Sequence, residues 1–223
     1  MLVGAGVDPD TKDIWAVEIT DRQAMQLGLP SDPEILGCGT MACAYASEEP
    51  GRVVKITKDV RDARMSYIVS ENPQPWAVPI YGVWSVGKGL YAIVAQRVIP
   101  LREGDPMLAA ALDEMWDKAR IENLNYGGWS GFREVRLGDI DDEIAEKGSG
   151  GDAALRAKAV EITDEAVRGF GTLGMGWLDF HGGNWGIDAS GRPVVLDLGL
   201  SQPMEQPPVR ALERAAGGAI PIL

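Results

Sequence analysis

The run Trp177-Leu178-Asp179-Phe180-His181-Gly182-Gly183-Asn184, followed by the apolar stretch Pro193-Val194-Val195-Leu196 and then Asp197-Leu198-Gly199, constrains this chain more than any other segment. Asp179 and Asn184 flank a Gly-Gly pair at a spacing that cannot put both on one helix stripe, so the segment reads as a loop. A loop between a helix and a strand pair is a common seat of chemistry. Short turns there can aim two carboxylates and a carboxamide at one metal-bound phosphate. Magnesium takes oxygen ligands, keeps several waters, and is usually held by one or two carboxylates plus substrate phosphates. Asn184 and Asp197 supply such oxygens, which leaves Asp179 free to act on a proton.

The N-terminal half holds a complementary set. Leu36-Gly37-Cys38-Gly39-Thr40-Met41-Ala42 reads as a Gly-rich hairpin, and Arg52-Val53-Val54-Lys55-Ile56 as a short strand with a lysine inside it. Glycine lets a backbone come close to phosphate oxygens, and lysine supplies a compact positive charge. Each residue also has a plain structural role open to it. Gly37 and Gly39 can make an ordinary turn, and Lys55 can guard a sheet edge. Asp179, Asn184 and Asp197 can be turn residues or a strand terminator. His181, the only histidine, can order its own loop rather than act as a base. Their occurrence together and in this order gives them weight.

In that order the motifs resemble the protein-kinase-like phosphotransferases, with their Gly-rich loop, strand lysine, Asp-x4-Asn catalytic loop and Asp-x-Gly metal motif. The form Asp179-x-His181-x-x-Asn184 is closer to the aminoglycoside and choline phosphotransferase branch. The resemblance implies an α+β, two-lobed protein-kinase-like fold. Residues 1–98 would be a leader and a small antiparallel nucleotide-binding β lobe. Residues 99–223 would be a helical lobe with a reduced C-terminal end. It implies ATP and Mg2+ as cofactors, Asp179 as catalytic base and Lys55 as the charge on the α and β phosphates. Gly37 and Gly39 would cover the phosphates. Gln96 and Val98 would read adenine through main-chain atoms, and Asn184 and Asp197 would hold the metal.

In the family, a helix after the lysine strand carries a glutamate that pairs with that lysine. Apolar spacing predicts such a helix over residues 59–70. Counting back from Val78-Pro79-Ile80-Tyr81 puts Arg64 or Met65 at the glutamate position, where neither can serve, and leaves Asp62 or Glu71 as partners from nearby turns. Elsewhere, Thr20 with Gln23 predicts a helix-opening capping box. Alternation predicts strands over 77–85 and 90–98 around a Gly87-Lys88-Gly89 turn. Helices are expected over 107–119 and 152–173, a Gly-rich aromatic loop over 123–131 and a connector over 147–151. The leader is expected to pack on the back of the small lobe.

A net charge of −12 disfavours nucleic acid and anionic membrane as partners, since both reward a basic surface. No apolar run reaches bilayer length, and the opening residues do not read as a signal peptide. The two cysteines, Cys38 and Cys43, read as reduced thiols of a cytoplasmic protein, because a bridge would lock the loop that must approach a nucleotide. The function expected from these readings is transfer of the γ-phosphate of ATP to a hydroxyl. A protein serine or threonine is the first acceptor and a small hydroxylated substrate the second. A nucleotide-binding scaffold without catalysis is the remaining alternative.

Overall fold

The computed structural model describes residues 1–8, 13–125, 153–173, 179–199 and 220–223. The chain divides into two compact units. One holds Met1–Gln74, Val78–Arg97 and the last residues through Leu223; the other holds Pro75–Ala77 and the run that begins at Val98.

The first unit is built on a five-stranded antiparallel sheet. Its strands are β3 (Ile35–Cys38), β4 (Ala42–Ala46), β5 (Arg52–Thr57), β6 (Ile80–Gly87) and β7 (Leu90–Gln96), ordered β3-β4-β5-β7-β6. Ahead of it come a hairpin of β1 (Leu2–Val7) and β2 (Ile14–Glu18) and a short helix α1 (Asp21–Leu27). The helix opens with the expected box: Gln23 N donates to Thr20 Oγ1 at 3.2 Å, and Thr20 N donates to Gln23 Oε1 at 2.9 Å. Period-2 alternation divides the sheet's side chains between two faces. Val54, Ile56, Ala92 and Val94 face a core that also contains Val3, Ala5, Ile19, Leu27 and Tyr45, so the leader covers this side. Tyr45 fastens it, its hydroxyl accepting from Gly4 N and donating to Gly4 O. Lys55 and Ile93 are register partners on the other face, where Ile93 packs with Ala63 of α2 (Val60–Glu71).

Two expectations for this unit are corrected. The strand predicted from residue 77 begins at Ile80, because Trp76 and Ala77 pair elsewhere: Val195 N donates to Trp76 O at 2.8 Å, and Ala77 bridges Val195. The cysteines are not free thiols but a disulfide. The hairpin register sets Cys38 directly across from Cys43, with Cα atoms 4.1 Å apart, so the sulfurs meet. The bridge leaves the turn between the strands intact.

The second unit carries β8 (Ile99–Pro100), α3 (Leu101–Gly104), α4 (Pro106–Asn125), α5 (Ala153–Thr172), and the hairpin β9 (Trp185–Ile187) and β10 (Pro193–Val195), with sheet order β10-β9-β8. Ala159, Thr163, Ala166 and Phe170 form the buried stripe of α5, at the spacing of one helix face. The Trp76 ring lies against Phe170 at 4.5 Å, and Gly169 is small because a Cβ there would sit 1.9 Å from Trp76 Nε1. The aromatic loop beyond Asn125, the connector at 147–151, and Trp177 and Leu178 lie outside the described residues. Among the described residues no helix is long and apolar enough to cross a membrane. The α+β expectation holds, with an antiparallel sheet in one unit and helices dominating the other.

Candidate active site

In the first unit, Lys55 projects from β5 toward α2. That helix is capped by Asp59, whose Oδ1 accepts from Arg61 N at 2.8 Å, and its first turn presents Asp62. A carboxylate is favoured there because helix N-termini carry unsatisfied N–H groups and partial positive charge. Lys55 Nζ stands 2.8 Å from Asp62 Oδ2, with side-chain exposures of 18% and 3%. The lysine's partner is therefore Asp62, and it sits on the helix itself rather than on a nearby turn. Glu71, the other residue considered, ends the same helix.

The Gly-rich hairpin tip is fixed on several sides. Val7 N donates to Gly39 O at 2.8 Å, Gly39 N to Ala42 O at 2.8 Å, and Lys58 N to Met41 O at 3.0 Å. Gly37 and Gly39 have no neighbour within 4 Å of where a Cβ would lie, and neither takes a positive φ. The fold itself does not require glycine at these two positions. Of the segment expected to read adenine, Gln96 ends β7 and its N–H donates to Pro79 O at 2.9 Å, while Val98 opens the second unit.

In the second unit the loop after residue 178 rests on α4. Gly182 N donates to Asp113 Oδ1 at 2.8 Å, and Asp113 Oδ2 pairs with Arg102 at 3.0 Å. A Cβ on Gly182 would meet Ala109 O at 2.5 Å, so only glycine lets the loop lie this close to the helix backbone. The following turn, Gly182–Asn184, is a single 3-10 turn capped by His181, whose Nδ1 accepts from Gly183 N at 3.1 Å. That bond puts the proton of the neutral imidazole on Nε2, which faces Asp179 Oδ1 at 3.6 Å. The ring is held edge-on by Trp116, with centroids 5.6 Å apart.

Asn184 is buried, and its Nδ2 donates to Asp179 O at 2.7 Å. With the nitrogen committed, the carboxamide oxygen is the end left for a ligand. Leu196 N donates to Asn184 O at 2.8 Å, which ties the loop to the residue just before Asp197. Asp197 Oδ1 accepts from Gly199 N at 2.9 Å. Burial pushes the Asp179 carboxyl above the ordinary aspartate range. His181 and Asn184 pull it back, and the negative charge of Asp197 pushes it up again. Asp179, Asn184 and Asp197 thus form one electrostatic cluster. Among the described residues no group of three or more His, Cys, Asp or Glu could hold a metal alone. One carboxylate with one amide oxygen suits a magnesium ion that completes its shell with phosphate and water.

Sequence reasoning missed Asp113 and Gly182 as the seat of the loop. Asp113 lies far from residue 182 in sequence, on an ordinary helix, and carries no local signal.

No protein-family model matches the chain, and no curated protein matches it. Solved structures similar to it include aminoglycoside phosphotransferase APH(4)-Ia, at 13% identity and TM-score 0.39 over 79% of this chain and 69% of that one. A thermostable mutant of the same enzyme, in a ternary complex with AMP-PNP and hygromycin B, is similar at 13% identity and TM-score 0.38 over the same shares. Another such mutant, in complex with ADP and hygromycin B, matches at 14% identity and TM-score 0.31 over 43% of this chain, which spans 36% of that one. These scores are too low to assign a fold or an activity.

Proposed function

We propose that the chain is an ATP- and magnesium-dependent phosphotransferase that moves the γ-phosphoryl group to a hydroxyl. The observation that carries this reading is the cluster of Asp179, Asn184 and Asp197 on one loop and its adjoining hairpin, with Asp179 raised by burial. A half-buried carboxylate beside two metal-type oxygens is the set that in-line phosphoryl transfer needs. In this reading Asp179 orients the acceptor hydroxyl and takes its proton, and His181 steadies the Asp179 carboxylate through Nε2. Asn184 and Asp197 hold magnesium, which when bound offsets phosphate charge. Lys55, oriented by Asp62, supplies a cation to the α and β phosphates. Gly37 and Gly39 leave open space for phosphate approach, and main-chain atoms at Gln96 and Val98 read adenine.

The acceptor proposed first is a serine or threonine hydroxyl of a protein. A small hydroxylated molecule is the second, supported by the Asp179-x-His181 spacing and by the 3.6 Å approach of His181 Nε2 to Asp179 Oδ1. The test is incubation of the purified protein with labelled ATP and magnesium, with and without a cell lysate. Label on polypeptides supports the first acceptor and label confined to small metabolites the second. Failure to transfer label, with nucleotide still bound, would overturn catalysis in favour of a nucleotide-binding scaffold.

A further inference from the structure

The final residues, Ile220 to Leu223, run beside β6, an edge strand of the five-stranded sheet. Ser85 N donates to Pro221 O at 2.8 Å, Leu223 N donates to Ser85 O at 3.0 Å, and Ser85 and Ile222 form a parallel bridge. Gln23 Nε2 of α1 reaches Leu223 O at 3.4 Å. Extended backbone sends alternate side chains opposite ways. Ile222 is accordingly 84% exposed, while Ile220 is 8% exposed and packs with Ala63, Val83 and Ile93, rimmed by Tyr67, Ile80 and Tyr91.

Two of these contacts flank the ion pair. Ala63 follows Asp62 on α2, and Ile93 is the β7 partner of Lys55. One aliphatic side chain therefore wedges against both the helix that carries the acid and the sheet that carries the lysine. An edge strand offers unpaired main-chain groups, and an extended segment adds to it as a further strand.

We propose that Ala63, Val83, Ile93 and the β6 main chain at Ser85 form a docking groove for an extended aliphatic segment. Its occupant is the chain's own Ile220–Leu223, and docking there holds α2 where Asp62 pairs with Lys55. The groove and its effect on the ion pair stand on geometry alone. The consequence for nucleotide binding rests on the reading of Lys55 given above.

The test uses the full chain with Ile220→Asp, the milder Ile220→Ala, the conservative Ile220→Val, and Ile222→Asp as a control on the exposed side of the same segment. Acylation of Lys55 by an amine-reactive ester is followed without nucleotide, alongside amide hydrogen exchange over residues 60–71. Ile220→Asp and Ile220→Ala are expected to raise Lys55 labelling about fivefold and to speed α2 exchange, since local opening governs both. Ile220→Val and Ile222→Asp should match the parent. A peptide with the sequence of residues 218–223, added in excess, should restore protection to Ile220→Ala. Unchanged labelling, an equal change in Ile222→Asp, no peptide rescue, or loss of protection throughout β4 and β5 would each overturn the proposal. The last outcome would make Ile220 an ordinary core residue. ATP affinity, measured in parallel, should fall wherever Lys55 labelling rises. A labelling response in a protein that never binds ATP would keep the groove and remove the nucleotide reading.

Discussion

Lys55 Nζ and Asp62 Oδ2 stand 2.8 Å apart, with Asp62 the more deeply buried of the two. That asymmetry sets the order of two substitutions. Breaking a wholly buried pair costs roughly 3–5 kcal/mol, because the survivor is left as an uncompensated charge. Asp62→Ala leaves a lysine that still reaches water, so its cost is expected at roughly 1–2 kcal/mol after solvent screening. Lys55→Met leaves the carboxylate in the drier position and should cost more. Denaturant unfolding of both variants checks the order. Both should bind ATP more weakly than the parent.

Asp179→Asn is expected to abolish phosphoryl transfer, retain nucleotide binding and raise the melting temperature at neutral pH. Burial raises the Asp179 carboxyl in the folded state, so the native protein holds that proton more tightly than the unfolded chain. Its contribution to stability is then greatest in acid and declines as pH rises from about 3.9, the unfolded value, through the raised folded value. At neutral pH the ionised group is a standing cost that the amide removes. If Asp179 is the base as proposed, transfer has the opposite slope, because that base would have to be ionised, and falls as pH drops through the raised value. Metal-free melting curves of parent and variant across pH, with initial rates alongside, check both slopes. A variant that melts no higher than the parent at pH 7 counts against the burial cost.

The glycines divide by what surrounds them. A Cβ at Gly37 or Gly39 meets nothing within 4 Å, whereas at Gly182 it would stand 2.5 Å from Ala109 O. Gly37→Ala and Gly39→Ala should change stability by less than about 0.5 kcal/mol, as at open surface sites. They should weaken ATP binding about five- to tenfold by obstructing phosphate approach. Gly182→Ala should cost about 2 kcal/mol through overpacking and abolish transfer, because the loop that carries Asp179 and Asn184 must lift off α4. Calorimetric ATP affinity and thermal melting for the three variants separate the two effects.

Features written in adjacent residues were legible in the sequence. Thr20 and Gln23 cap one helix turn with their own side chains, and the β-type run around Lys55 put it inside a strand. Asp179, Asn184 and Asp197 lie on one short loop and hairpin, so their spacing was enough to group them. Features that depend on register or on distant packing were not legible. Asp62 was read as reaching from a nearby turn, because its place in the first turn of α2 is set by the Asp59 cap and its contact with Lys55 by the packing of that helix on the sheet, neither of which a count from the next strand contains. Asp113 meets Gly182 only once α4 is folded beneath the loop. The cysteines were read as free on the ground that a bridge would stiffen the hairpin, but their pairing is decided by which residues the hairpin sets opposite one another.

Asp188 anchors the turn of the β9–β10 hairpin that leads to Asp197. Its Oδ1 accepts from Ser190 N at 2.9 Å, Ser190 Oγ at 2.6 Å and Arg192 N at 3.0 Å. These bonds hold its carboxyl down at about 2. A lowered folded value means stability that is present above the unfolded value, about 3.9, and lost as pH falls toward 2. Asp188→Ala should therefore destabilise the second unit by on the order of 1 kcal/mol at neutral pH, with the difference from the parent vanishing near pH 2. Asp188→Asn keeps an oxygen acceptor and should fall between them. Melting curves of the three proteins from pH 2 to 7 check this, and a difference that persists unchanged in acid would detach the stability from the carboxylate.

The Cys38–Cys43 bridge closes a short loop, and the chain-entropy relation gives about 2 kcal/mol for a ring of that size. A Cys38→Ser, Cys43→Ser double variant should lose about 2 kcal/mol of unfolding free energy and melt lower, and so should the parent treated with a dithiol reductant. Nucleotide affinity is expected to change less than about twofold, because non-covalent bonds hold the hairpin tip independently of the sulfurs. Val7 N to Gly39 O and Lys58 N to Met41 O remain when the bridge opens, and Thr57 Oγ1 still donates to Met41 O at 3.2 Å. Gly6 also stays seated against Thr40, since a Cβ on it would come within 2.5 Å of Thr40 O. Calorimetric ATP titrations of oxidised and reduced protein, with thiols counted in each, test the separation. A collapse of affinity on reduction would mean that the covalent link, and not the leader strand, sets the loop proposed to cover the phosphates.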